Sequence, residues 1–114
     1  MKNFKYFPIF FLSLFSFSAI AQSTVKEDTL IVKGICGMCK ERIEEAAFGK
    51  GVKFVSWNKV TDELSVAYRS DKTSITEIED RVLKAGHSTA AQKAPEEAYA
   101  KLPDCCRYEE VGKH

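Results

Sequence analysis

The segment GICGMC, residues 34–39, constrains the fold of this chain more than any other stretch. Before it, in residues 28–34, apolar side chains alternate with polar ones, which predicts a half-buried strand. After it, in residues 39–48, apolar side chains recur at helical spacing. A strand that turns through two glycines into a helix therefore places Cys36 and Cys39 at the mouth of that helix.

The remaining elements complete a familiar order. Residues 52–57 and 63–69 predict two strands joined as a hairpin. A capping box, Ser-Ile-Thr-Glu at 74–77, opens a second helix that Gly86 ends. Residues 87–92 predict a weak last strand. The order β-α-β-β-α-β predicts an α+β fold, a ferredoxin-like two-layer sandwich, followed by a short helical C-terminal tail.

In that topology three connections share one end of the sandwich. They are the turn from strand 1 to helix 1, the hairpin, and the turn from helix 2 to strand 4. Cys36 and Cys39 lie in the first connection and His87 lies in the third. We therefore expect these three side chains to converge on one edge although they are far apart in sequence.

Residues 1–21 carry the features of a signal peptide. Lys2 and Lys5 precede an apolar stretch that ends in Ala-Ile-Ala at 19–21. The stretch is shorter than the ~20 apolar residues of a membrane span. We expect a periplasmic or secreted mature chain that begins near Gln22 and is not stably inserted in a membrane. A retained single anchor is the alternative.

Composition narrows the function classes. The formal net charge is +1, which gives no electrostatic footprint for nucleic acid. His87 and His114 are the only histidines of the predicted mature chain. No pair of carboxylates converges in the predicted layout, so no enzymatic activity is expected. Four cysteines in an exported chain first suggest disulfides, but one pair is spaced by two residues and the other is adjacent. Neither pair looks like a staple between distant parts of a fold.

Two chemistries suit Cys36 and Cys39. Two thiolates on one turn can hold a soft ion such as Cu(I) or Zn(II). The start of a helix also lowers the pKa of a cysteine, which serves a metal ligand and a redox nucleophile equally well. A thiol–disulfide redox protein that uses these two residues with Cys105 and Cys106 therefore stays open, although no proline lies within the predicted domain to face the dithiol.

The motif GICGMCKERIE after strand 1, together with KAGH after helix 2, resembles the heavy-metal-associated domain family over residues 28–92. This family includes copper chaperones and the periplasmic mercury-binding protein. The resemblance implies that Cys36 and Cys39 bind a soft metal ion, Cu(I) first and Zn(II) or Hg(II) otherwise, through a surface loop. Ile35 replaces the methionine of the family motif, with one residue fewer before the first cysteine.

The resemblance also implies partners and a further ligand. The ion would be buffered or handed on to a metal-transport or metal-accepting protein, and a metal-bridged dimer is a further arrangement. His87 follows Ala-Gly where many members have an aromatic residue, and its imidazole would complete a site of two cysteines and one histidine. Met38 offers a thioether or an apolar contact for a partner.

The tail, residues 93–114, lies beyond the resemblance. It predicts a short helix between Pro95 and Pro103, followed by Cys105 and Cys106. A full last strand would carry the chain to the far end of the domain, so the returning tail would only just reach the cysteine loop. Four interpretations stay open: a joint metal site with the loop, a disulfide cover over it, a separate site, or incidental disulfides.

Overall fold

The sheet of this protein has three antiparallel strands. The computed structural model describes residues 24–114, and the predicted signal peptide over 1–21 lies outside them. The strands are β1 (Val25–Ile31), β2 (Val52–Trp57) and β3 (Glu63–Arg69), in the order β1-β3-β2. Their alternation of buried and exposed side chains is clearest in β3. The predicted hairpin is therefore confirmed as the β2–β3 pair.

Within residues 24–114, three helices and one short turn accompany the sheet. They are α1 (Gly37–Ala47), α2 (Ile75–Lys84), α3 (Glu96–Ala100) and a 3₁₀ turn (Asp104–Cys106). The side chain of Ser74 caps α2 by accepting a hydrogen bond from the backbone N–H of Glu77, as the capping box predicts. None of the helices in residues 24–114 is long and apolar enough to span a bilayer. The predicted α+β, ferredoxin-like class is confirmed.

The predicted last strand differs from the structure. Residues 87–92 form a single β-bridge, between Val32 and Thr89, on the free edge of β1. The chain then turns back at once, because the backbone N–H of Thr89 donates to the carbonyl of Gln92. The segment is made of small and polar residues, which have little tendency to extend a strand. The tail consequently starts near β1 instead of at the far end of the domain.

One core connects the sheet, the helices and the tail. The tail contributes Leu102 and Cys106 to this core, and both side chains are fully or almost fully buried. Other large members of the core come from α1, α2 and the strands, among them Ile43, Trp57, Leu64, Val66, Ile78 and Val82. The tail is therefore packed as part of the folded unit.

Gly86 allows the tail to approach the end of α2. It has a φ of +101°, and a Cβ at this position would lie 2.7 Å from the carbonyl oxygen of Ala98 in α3. It would also lie 3.1 Å from a methyl carbon of Leu102. This close approach directs the residues after α3 toward the loop between β1 and α1.

Candidate metal centre

The cysteine loop (residues 34–39) places two sulfur atoms at the N-terminus of α1. Cys36 is the N-cap residue, with an extended backbone, and Cys39 lies in the first turn. Their sulfur atoms are 3.4 Å apart, and both side chains are buried. The unpaired N–H groups of a helix start favour negative charge there, so the loop suits ionised sulfur.

Trp57 supports the cysteine loop from below. A Cβ at Gly34 would lie 2.8 Å from two ring carbons of Trp57, so only glycine leaves room for the indole. The indole N–H donates to the carbonyl of Val32, at 2.9 Å, and ties the end of β2 to the end of β1. No sequence motif pointed to Trp57 as part of the site. The sequence signal that could have pointed to Trp57 is a large aromatic residue at the end of one strand, opposite a glycine in the segment that follows another strand.

The tail brings a third sulfur atom to the loop. The sulfur of Cys106 lies 3.8 Å from that of Cys36, and the sulfurs of Cys36, Cys39 and Cys106 all lie within 4.8 Å of one another. We call these three residues the sulfur cluster. The thiol of Cys36 also donates to the carbonyl of Cys105, at 3.4 Å. The early turn after Thr89 removes the long return path that a full last strand would have required.

Cys105 and Met38 lie beside the cluster and outside it. The sulfur of Cys105 is 3.4 Å from the thioether sulfur of Met38 and 3.9 Å from the sulfur of Cys106. Met38 is half exposed, and Cys105 is partly exposed. These two sulfurs therefore face the surface above the buried cluster.

His87 is fully buried next to the tail. Its Nδ1–H donates to the carbonyl of Lys33, at 2.8 Å, which leaves Nε2 as a bare nitrogen without a hydrogen-bond partner among residues 24–114. The ring stacks on Tyr108 with centroids 5.7 Å apart. Burial lowers the pKa of His87, and the nearby charge of Arg42 lowers it further. His87 lies outside the sulfur cluster, and its role as a ligand stays a prediction.

The three clustered thiols have divergent acidities. Burial alone would raise the pKa of Cys36, but the neighbouring N–H of Cys39 and the thiols of Cys39 and Cys106 bring it below the ordinary 9.0. Burial raises the pKa of Cys39. The pKa of Cys106 is also raised, chiefly by burial and then by the neighbouring sulfurs of Cys39 and Cys36. This is the behaviour of close groups that share one negative charge. A cation placed among the sulfurs would remove the repulsion that prevents further ionisation.

The cluster is less accessible than the sequence indicated. The resemblance implied a surface loop, but Cys36 is only 6% exposed, and Cys39 and Cys106 are not exposed at all. The 3₁₀ turn packs against α1 and covers the thiols. Chemically, the arrangement offers a soft, partly anionic and dehydrated set of sulfur ligands, which suits a soft metal ion.

Comparisons with known proteins address the fold and the loop together. The sequence matches no protein-family model, and no curated protein is significantly similar to it. Among solved structures, the chain is similar to a CopZ metallochaperone, with 27% identity and a TM-score of 0.55 over 57% of this chain and 100% of that one.

Two further solution structures give the same picture. One is a copper-containing variant of CopA from Bacillus subtilis, with 29% identity and a TM-score of 0.50 over 59% of this chain and 91% of that one. The other is a Bacillus anthracis protein, with 23% identity and a TM-score of 0.54 over 59% of this chain and 97% of that one, which bears on the fold alone. Together with the cluster, these similarities confirm the resemblance drawn from the motif: the chain contains a heavy-metal-associated-like domain.

Proposed function

We propose that this protein is exported, binds Cu(I) through Cys36 and Cys39, and buffers the ion or passes it to a metal-accepting protein. The observation that carries the proposal is the pair of buried sulfurs, 3.4 Å apart, at the start of α1. Thiolate is the ligand type that Cu(I) prefers. The solved structures similar to this chain include a metallochaperone and a protein described with copper, which supports the same choice.

Zn(II) would suit the same ligands less well than Cu(I), and Hg(II) would suit them equally well. Zn(II) accepts thiolates but favours four ligands, whereas Hg(II) is soft and takes two or three sulfurs. We place Cu(I) first because the similar CopA structure is described with copper. The basic start, the apolar stretch and Ala-Ile-Ala at 19–21 support the proposed export to the periplasm or the medium.

Hand-over is the proposed mode of action, without catalysis. An acceptor that carries thiolates would form a shared intermediate with the ion as the ligands of this protein leave one by one. Cys36 is the residue of the pair with the lower pKa and slight exposure. It is therefore the ligand of the pair that we expect an acceptor to approach. Enclosure of both sulfurs within one chain disfavours a metal-bridged dimer.

Native mass spectrometry of the exported protein tests this proposal. We expect wild-type protein, reduced and then supplied with Cu(I), to hold one ion per chain, and the Cys36→Ser/Cys39→Ser double variant to bind Cu(I) at least roughly a hundredfold more weakly. Ser56→Ala is the control for handling and folding, because Ser56 lies in strand β2 and outside the cysteine loop. Equal binding by the wild type and the double variant would refute the proposal, and a mass that includes residues 1–21 would refute removal of the signal peptide.

Thiol–disulfide exchange is the second candidate. The lowered pKa of Cys36 and the sulfur of Cys106 at 3.8 Å favour it. In this reaction the Cys36 thiolate would attack a disulfide of a partner protein, and a neighbouring thiol would then resolve the mixed disulfide. The partner would leave as a dithiol, and this protein would hold the new disulfide. Burial of Cys36 under the tail hinders that attack, so metal binding is the better-supported function.

A further inference from the structure

The tail contributes Cys106, the member of the sulfur cluster that lies outside the two-cysteine motif. We propose that Cys106 is a third ligand to the bound ion, and that the tail thereby controls how fast the ion is released. This inference rests on the proposed function, because it names how the same site holds and releases its cargo. The juxtaposition that carries it is Cys36, Cys39 and Cys106 with all sulfurs within 4.8 Å.

The spacing of the sulfurs favours three ligands over two. With metal–sulfur bonds of about 2.3 Å, two sulfurs on opposite sides of an ion lie about 4.6 Å apart, whereas the edges of a trigonal site measure about 4.0 Å. The observed separations are 3.4 Å for Cys36–Cys39 and 3.8 Å for Cys36–Cys106. To reach a linear arrangement, the sulfurs of Cys36 and Cys39 would have to spread by about 1.2 Å within a packed core. A trigonal site needs a spread of about 0.6 Å at this edge and about 0.2 Å between Cys36 and Cys106, and the third separation is within 4.8 Å.

Burial of the cluster points the same way. Cys39 and Cys106 have no exposed surface, so solvent does not reach the side of the site that Cys106 occupies. An ion bound between Cys36 and Cys39 alone would meet the sulfur of Cys106 at close range. Sulfur at that distance is a ligand for a soft ion.

The position of Cys106 is imposed by anchors on both sides of it. Leu102 is buried in the core before it. After it, the hydroxyl of Tyr108 donates to the carbonyl of Gly86, at 2.8 Å, and accepts from the backbone N–H of Ser88, at 2.9 Å. A sulfur that is held from both sides costs little entropy to recruit as a ligand. The tail therefore presents Cys106 to the loop before any ion arrives.

Release of the ion then requires the tail to move. The ion can lose Cys106 only if the 3₁₀ turn shifts away from α1, since the cluster is enclosed. Cys105 and Met38 lie at the surface of this cover, so an acceptor would meet them first. Movement of the tail is thus the step that separates tight holding from transfer.

X-ray absorption at the copper edge, combined with competition by a Cu(I) chelator, tests the inference on the full mature chain. We expect three sulfur neighbours of copper in the wild type and two in Cys106→Ser, with release to the chelator faster by roughly tenfold or more. Cys105→Ser is the matched variant, because it removes the adjacent thiol outside the cluster. We expect it to keep three sulfur neighbours.

The outcomes separate this inference from the proposed function. Copper with two sulfur neighbours in the wild type, or with three in Cys106→Ser, overturns the role of Cys106 and leaves binding by the loop intact. The absence of copper uptake by reduced wild-type protein overturns the proposed function itself. Because the wild-type count needs no substitution, the inference can be tested even if Cys106→Ser loosens the tail.

Discussion

The cysteine loop and the tail supply sulfur to one cluster but are fixed in place by different forces. The loop is held between a strand and a helix over the fully buried ring of Trp57, and glycine at position 34 lets the two surfaces meet. The tail has one short helix of five residues and is held by a few contacts, chiefly those of Leu102 and Tyr108.

A site that must both hold an ion and release it needs ligands that stay in place and a ligand that can leave. The loop supplies the first and the tail supplies the second. Ligands on a rigid framework keep their geometry, whereas a ligand on a lightly anchored segment can leave at low cost. Opening of the tail exposes the buried side chains of Leu102 and Cys106 and breaks several hydrogen bonds, among them the one from the His114 N–H to the carbonyl of Ile35. Opening of the loop needs disruption of the core. The tail is therefore the expected moving part.

Trp57→Ala should produce the largest effect on stability, because it acts on the framework and not on the tail. Removing a fully buried indole beneath the loop should lower the free energy of unfolding by about 3–5 kcal/mol. The matched control is Phe54→Ala in the same strand, because Phe54 is 55% exposed. Its expected cost is about 0.5–1 kcal/mol. Urea denaturation measures both. Similar losses for the two variants would contradict a framework centred on Trp57.

Tyr108→Phe tests the tail separately. The substitution leaves the N–H of Ser88 and the carbonyl of Gly86 without their partner, which should cost about 1–3 kcal/mol. We expect this cost to favour local opening of the tail, so that under native conditions a thiol reagent modifies Cys106 faster than global unfolding alone would expose it. Tyr99→Phe is the control, because the Tyr99 hydroxyl accepts one exposed hydrogen bond at 3.3 Å. If Cys106 is modified only as fast as global unfolding exposes it, the tail and the framework form one cooperative unit.

The smallest predicted effect is a dependence on pH through His87, which lies between the framework and the tail. Burial lowers its pKa from the ordinary 6.5, so above that pH the ring is neutral in both the folded and unfolded states. Below it, the unfolded chain takes up a proton that the folded protein does not. The free energy of unfolding should therefore fall as the pH drops from 6.5, by at most about 1.4 kcal/mol per pH unit.

Denaturation between pH 7.5 and 5.5 measures this dependence. His87→Gln should flatten it, whereas His114→Gln, at the exposed C-terminus, should leave it unchanged. An unchanged slope in His87→Gln would mean that another group titrates in this range. An NMR titration of the His87 ring gives the direct measurement.

Local sequence rules predicted most of the framework. The capping box at Ser74, the glycine after α2 and the cysteine spacing at the start of α1 act within a few residues, so the sequence contains their physical cause. The helix start was displaced by only two residues, from Cys39 to Gly37, and the pairing of β2 with β3 followed from the hairpin. The last strand was overestimated, because the small and polar residues at 87–92 have little tendency to extend a strand and form one bridge only, between Val32 and Thr89.

By itself, then, the sequence determined the α+β order and the presence of two sulfurs at a helix start, because hydrophobic period and capping are local properties. Only the tertiary structure decided that Cys106 joins them, that Cys105 does not, and that the cluster is covered. Those outcomes depend on the early turn after Thr89 and the close approach of α3 at Gly86. The approach at Gly86 joins segments that are separate in the chain, so no local pattern in the sequence reveals it.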